Sequence, residues 1–110
     1  MEARAAAKYI RVSPQKARLV VDLVRGKKVQ EAQKILMFNR KYSAGVVGKL
    51  LRSAVANAKE NPNIDENILY VKKIYVDQGP SLKRWRARAQ GRAASIKKRM
   101  SHITIVLDEA

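Results

Sequence analysis

Between Ser13 and Gly26 the apolar residues Ala17, Val20, Val21 and Val24 recur at i, i+3, i+4 and i+7, the spacing of one face of a helix. Ser13 followed by Pro14 offers a cap and a first-turn proline, and Gly26 offers a stop, so a helix is predicted over residues 14–25. Val29, Ala32, Ile35 and Leu36 repeat the spacing in a second helix at about 29–38, which "NRKYS" interrupts. A third and longest helix, about 42–60, carries a stripe of Val47, Leu50, Leu51, Ala54, Val55 and Ala58. These residues are small enough for neighbouring helices to pack closely, and "NPN" at 61–63 ends the run.

The period then changes to two. "ILYVKKIYV" at 68–76 is rich in β-branched and aromatic residues, and "HITIVL" at 102–107 sets Ile103, Ile105 and Leu107 against Thr104 and Val106, so both predict strands. A looser alternation over 2–12 places Ala3, Ala5, Ala7 and Tyr9 on one side and Arg4, Lys8 and Ile10 on the other. It predicts a short strand against the helical preference of alanine. With no internal repeat and no flexible Gly/Ser linker, residues 1–110 are expected to form a single domain.

The two later strands frame an unusual stretch. If they pair antiparallel, facing residue numbers have a constant sum, and midpoints at 72 and about 105 put the turn near 88 or 89, within three residues of Gly91. Residues 80–100 then become the far part of a long β-hairpin. Roughly ten residues per arm, at about 3.3 Å each, reach about 30 Å. A compact body of this size has a radius of gyration of only about 13 Å, so the hairpin must protrude. Propensity points the other way, because "ARAQGRAASIKKRM" is full of helix formers and a helix interrupted at Gly91 is the alternative. The alternation of Arg84, Arg86 and Arg88 with Trp85, Ala87 and Ala89 has period two and favours the hairpin.

Charge changes the picture most. Twenty-four Lys and Arg against nine Asp and Glu leave a net +15 on 110 residues, a self-repulsion that a polyanion would relieve. The charge lies in two blocks: residues 1–62 hold fourteen bases and four acids, residues 79–110 hold eight and two, and 63–78 are near neutral. Cysteine is absent, which excludes disulfides and thiolate metal sites. There is no run of about 18 apolar residues to span a membrane, and the N-terminus lacks the apolar core of a secretory signal, so an intracellular protein is expected.

Catalysis finds little support in the residues. The lone histidine, His102, sits in a predicted strand among apolar neighbours, where a structural role is commoner than a catalytic one. No phosphate-cradling glycine loop, nucleophile elbow or metal-ligand spacing occurs, so no enzyme, metal, cofactor or small-molecule substrate is expected. Nucleic acid is favoured instead. Arginine forks donate paired hydrogen bonds to phosphate, and residues 81–100 hold eight bases without one acid, whereas a merely solvated face normally mixes signs. The hairpin candidates are Lys83, Arg84, Trp85, Arg86, Arg88, Arg92, Lys97, Lys98 and Arg99. Trp85 could pack on its strand partner or stack on an unpaired base, and the alanines at 87, 89, 93 and 94 would let the backbone pass close to RNA. A bare hairpin is marginal in water, so the tip is expected to be mobile alone and ordered by RNA. A second set, Arg11, Lys16, Arg18, Arg25, Lys27 and Lys28, clusters around the ends of the first helix; simple solvation accounts for it equally well.

"RVSPQKARLVVDLVRGK" at 11–27, "SAVANAKEN" at 53–61 and "VDQGPSLKRWRARAQGRAASIKKRMSHITIVL" at 76–107 resemble the bacterial large-subunit ribosomal protein family numbered twenty-two, over essentially the whole chain and in family order. The resemblance implies an α+β fold: three helices packed on a small antiparallel three-stranded sheet, with a long protruding β-hairpin. It also implies a monomer bound to large-subunit (23S) ribosomal RNA and to neighbouring ribosomal proteins, active in early assembly. The hairpin tip would be Arg88, Ala89, Gln90, Gly91, Arg92 and Ala93, at the wall of the exit tunnel and beside the nascent polypeptide. Two positions depart from the family pattern: Ala87 stands where proline is common, and Gln78 where an acid is common. The competing classes are a basic architectural nucleic-acid-binding protein outside the ribosome and a small RNA-processing enzyme.

Overall fold

In the computed structural model, residues 2–79, 82–87 and 93–109 are described. The elements follow in the order β1 (Ala3–Ile10), α1 (Pro14–Val24), α2 (Val29–Met37), α3 (Tyr42–Lys59), a 3-10 turn (Glu66–Ile68), β2 (Leu69–Gln78), β3 (Leu82–Ala87), β4 (Ala93–Lys98) and β5 (Ser101–Glu109). The protein is α+β, as expected: three helices lie against an antiparallel sheet of order β1-β5-β2, and β3 and β4 form a separate two-stranded ladder. The helix expected over 14–25 ends one residue sooner, and the two long strands run about two residues further than alternation alone marked.

Local chemistry explains the helix ends. Ser13 has extended backbone and its hydroxyl accepts from the amide of Lys16, with Pro14 at the first helical position. Arg25 leaves the helix with extended backbone at φ -62 and ψ 128, which ends α1 and turns the amide of Gly26 onto the carbonyl of Val71; Gly26 then takes the left-handed conformation at φ 77. The stripe Ala17, Val20, Val21 and Val24 is fully buried. On α3 the buried face is Ala44, Val47, Leu50, Leu51, Ala54 and Ala58, with Val55 partly buried beside it. Small residues at these positions let α3 approach both α2 and the sheet.

The core is completed by Leu69, Val71 and Ile74 of β2 and by Ile103, Ile105 and Leu107 of β5. Strand β5, last in the chain, is central. A bulge between Val71 and Lys73 keeps Val71 and Ile74 both facing inward, because the extra residue shifts the alternation by one.

A second bulge corrects the expectation for β1. Ala3, Ala5 and Ala7 face the core, but Tyr9 does not join them: it lies at φ 59 and is exposed, and Ile10 packs on the core instead. The register against β5 shifts between Ala7 and Ile10. One residue in the left-handed region advances the strand by a position, which swaps the faces of the last two side chains.

Both sheet edges are covered. On β1, the Asn57 amide of α3 donates to the carbonyl of Arg4 at 2.8 Å. On β2, Val71 exchanges backbone bonds with Gly26 and Lys27, while carbonyls further along accept from side chains of α1 and its C-cap. Edge groups left bare would invite pairing with another chain.

Candidate nucleic-acid interface

The ladder between β2 and β5 ends at the pair Gln78–Ser101, and the amide of Gly79 donates to the carbonyl of Met100 at 2.9 Å. Beyond this point β3 and β4 pair from Leu82–Lys98 to Ala87–Ala93. Residues 82–87 and 93–98 are therefore paired strands, and the interrupted helix is excluded for them. The register is centred on residue 90, one to two positions past the turn expected from strand midpoints; the bulge in β2 raises the sum of facing residue numbers by one and supplies half a position of that shift. Residues 88–92 lie outside the described residues, so the expectations for Arg88, Ala89, Gln90, Gly91 and Arg92 rest on sequence. The molecule measures 64 × 25 × 16 Å with a radius of gyration of 17.1 Å. That is well above the roughly 13 Å of a compact chain this long.

Register also fixes how the charges oppose one another. Lys83 lies across from Lys97, Arg84 from Ile96, Trp85 from Ser95 and Arg86 from Ala94. Like charges directly opposite on an antiparallel pair are destabilising, and no acid occurs anywhere in 81–100 to offset them.

At the root of this ribbon three residues interlock. The amide of Tyr9 donates to His102 Nδ1 at 3.1 Å, which places the proton of the neutral ring on Nε2. The two rings meet edge to face, centroids 4.9 Å apart. On its other side the imidazole lies over Gly79: a Cβ there would be 3.2 Å from Cε1 and 3.3 Å from Nε2 of His102. The single histidine is thus a structural wedge where the sheet passes into the ribbon. Next to it, the buried Ser101 hydroxyl donates to the carbonyl of Val12 at 2.5 Å and ties the segment after β1 to the start of β5.

The body cations divide into two groups. Arg18 donates to the carbonyl of Val76 at 3.0 Å and Arg25 to that of Ile74 at 2.9 Å, so both hold the outer edge of β2; Arg25 also pairs with Asp22. Arg11, Lys16, Lys27, Lys28 and Arg99 are exposed. Sequence reasoning missed a further set, Lys34, Arg40, Lys41, Lys49 and Arg52, on α2, α3 and their junction. The signal was present in the chain: residues 32–59 contain six bases and no acid.

A folded three-helix body on an antiparallel sheet, carrying an acid-free basic β-ribbon, defines a small basic structural protein. A family described as ribosomal protein L22p/L17e matches residues 5–108. The large ribosomal subunit protein uL22 of Syntrophus aciditrophicus is 75% identical over 109 residues, 99% of each chain. Those of Clostridium novyi and Thermus thermophilus are 60% and 57% identical over 109 residues, covering 99% of this chain and 98% and 96% of theirs. The chain belongs to the ribosomal protein L22p/L17e family. It is a structural component and not an enzyme.

Proposed function

We propose that the protein is a ribosome-bound cytoplasmic component of the large subunit that binds 23S ribosomal RNA, contacts neighbouring ribosomal proteins as a monomer and assists subunit assembly. Residues 1–110 act as one domain, and 80–100 are the part that enters the RNA. Lys83, Arg84 and Arg86 on the way in, and Lys97, Lys98 and Arg99 on return, neutralise phosphates. Trp85 stacks on an unpaired base. The tip, Arg88 to Ala93, faces the exit tunnel and the nascent chain. On the body, Arg11, Lys16, Lys27 and Lys28 make outer contacts, while Arg18 and Arg25 contribute only what remains of their forks beside the β2 edge.

The observation that carries this reading is the direct register of Lys83 and Lys97 in a ribbon without a single acid. Two lysines in direct register are tolerable where phosphates lie close, since each neutralised phosphate also releases condensed counterions. Crosslinkers placed at residues 85–92 in intact ribosomes test it. Recovery of tunnel-wall RNA or nascent peptide is expected; crosslinks only to solvent-side partners would reject the tunnel placement. Failure to co-sediment with large subunits through a moderate-salt wash would instead favour an architectural protein outside the ribosome.

A further inference from the structure

The corner between α2 and α3 exposes three large apolar side chains, Met37, Phe38 and Tyr42, at 75, 82 and 73%. An open groove of about 670 Å³ runs beside them, with Leu36 and Gly48 among its lining, Met37 and Tyr42 on its sides, and Lys41 and Arg52 as its cations. Tyr42 and Lys41 also border a second groove of about 540 Å³, to which Arg11 and Lys16 contribute. Tyr42, 73% exposed, therefore borders two cation-bearing clefts.

Two glycines on α3 point to an occupant. Gly45 and Gly48 both line the first groove, within the first two turns of an 18-residue helix, although glycine is the poorest helix former after proline. Neither has positive φ. A Cβ at Gly45 would meet nothing within 4 Å, and one at Gly48 only Leu36 Cβ at 4.0 Å. Nothing inside the protein requires them to be bare. A helix backbone left bare on the surface is suited to close approach by a flat group.

We propose that this groove docks an unstacked RNA base, which lies against the Tyr42 ring and over the backbone of Gly45 and Gly48 while adjoining phosphates meet Lys41 and Arg52. Charge complementarity selects RNA. The cations of residues 32–59 are unopposed by any acid in that stretch, and the surface joins a flat aromatic face to them, as single-stranded RNA sites do. Protein interfaces are instead depleted of lysine at their centres. The inference rests on the RNA-binding reading above and adds to it a second site, remote in sequence from the ribbon.

The test uses the full chain and a bacterial 23S rRNA transcript. Tyr42→Ala should weaken binding roughly 5- to 100-fold, as loss of one base–aromatic stack does, without lowering Tm. Tyr42→Phe should bind as the parent does. The double change Gly45→Ala and Gly48→Ala should raise Tm and yet weaken binding, a combination that a purely structural role for the glycines would not produce. Parent-like binding by both Tyr42→Ala and the double variant overturns the groove alone. A parent protein that neither binds the transcript nor enters subunits overturns the RNA reading with it. In assembled subunits a photo-crosslinker at position 42 should be recovered on a nucleotide; recovery on another protein overturns the proposal in favour of a protein partner.

Discussion

Tyr9 adopts a conformation that costs an L-residue about 1–2 kcal/mol, and the bond to His102 together with the edge-to-face ring contact holds it there. Gly79 makes room for the same imidazole. Gly79→Ala is expected to push the ring aside and destabilise the fold by about 1–3 kcal/mol, the usual range for overpacking. Urea unfolding measures the loss, and His102 ring proton shifts, which the Tyr9 ring perturbs, must change with it; unaltered shifts would refute the wedge. Gly26→Ala is a contrasting case. Its Cβ would meet nothing, so only the left-handed backbone opposes it, at about 1–2 kcal/mol. Lys72 acts at the same scale, bonding Glu2 at 2.6 Å and lying 3.4 Å from Asp108. The hydrogen bond from Lys72 holds the Glu2 carboxyl below its ordinary range, and the Glu109 amide, followed by Lys72, does the same for Asp108. Folded-state values depressed in this way contribute stability above the unfolded pKa, and that stability is lost as pH falls through the folded one. Lys72→Met should therefore raise the Glu2 titration midpoint more than that of Asp108, which keeps its backbone donor; NMR titration of the carboxyl carbons checks the order.

Elements show why some of the molecule was legible in the sequence and some was not. The stripes on α1 and α3 are periodic, and periodicity is a local property, so Ala17, Val20, Val21 and Val24 could be placed inside without a partner in view. The paired ribbon followed from strand arithmetic, off by one or two residues because the midpoints of apolar runs do not fix register and a bulge at consecutive lysines carries no turn signal. Tyr9 was misplaced for the same reason: left-handed backbone is commonly marked by glycine, and here the residue is tyrosine held by a histidine 93 positions away. Arg18 and Arg25 looked identical to Lys27 and Lys28 along the chain, since nothing local reveals that a strand edge with open carbonyls will lie beside them. The difference is measurable. Arg18→Gln and Arg25→Gln should each lower stability by about 1 kcal/mol. Lys27→Gln and Lys28→Gln should leave thermal unfolding unchanged and reduce only RNA affinity.

Across the whole molecule the charge is arranged so that the ribbon can change without the body. Replacing Arg84 and Arg86 with glutamine should flatten the dependence of log affinity on log salt by about one unit for each phosphate that is no longer neutralised. The thermal midpoint should stay put, because β3 and β4 lie outside the three-stranded sheet. That sheet carries one more consequence. Its two outer strands are not paired with each other; within the sheet each pairs with β5, which follows the ribbon in the chain. During synthesis, from N- to C-terminus, the ribbon is therefore complete while the sheet still lacks its centre, and β1 and β2 wait for the same late segment. Pulsed hydrogen exchange should find their amides protected together and only when β5 is present. The chain's clock thus runs from the ribbon to the core: the reach exists before the anchor closes.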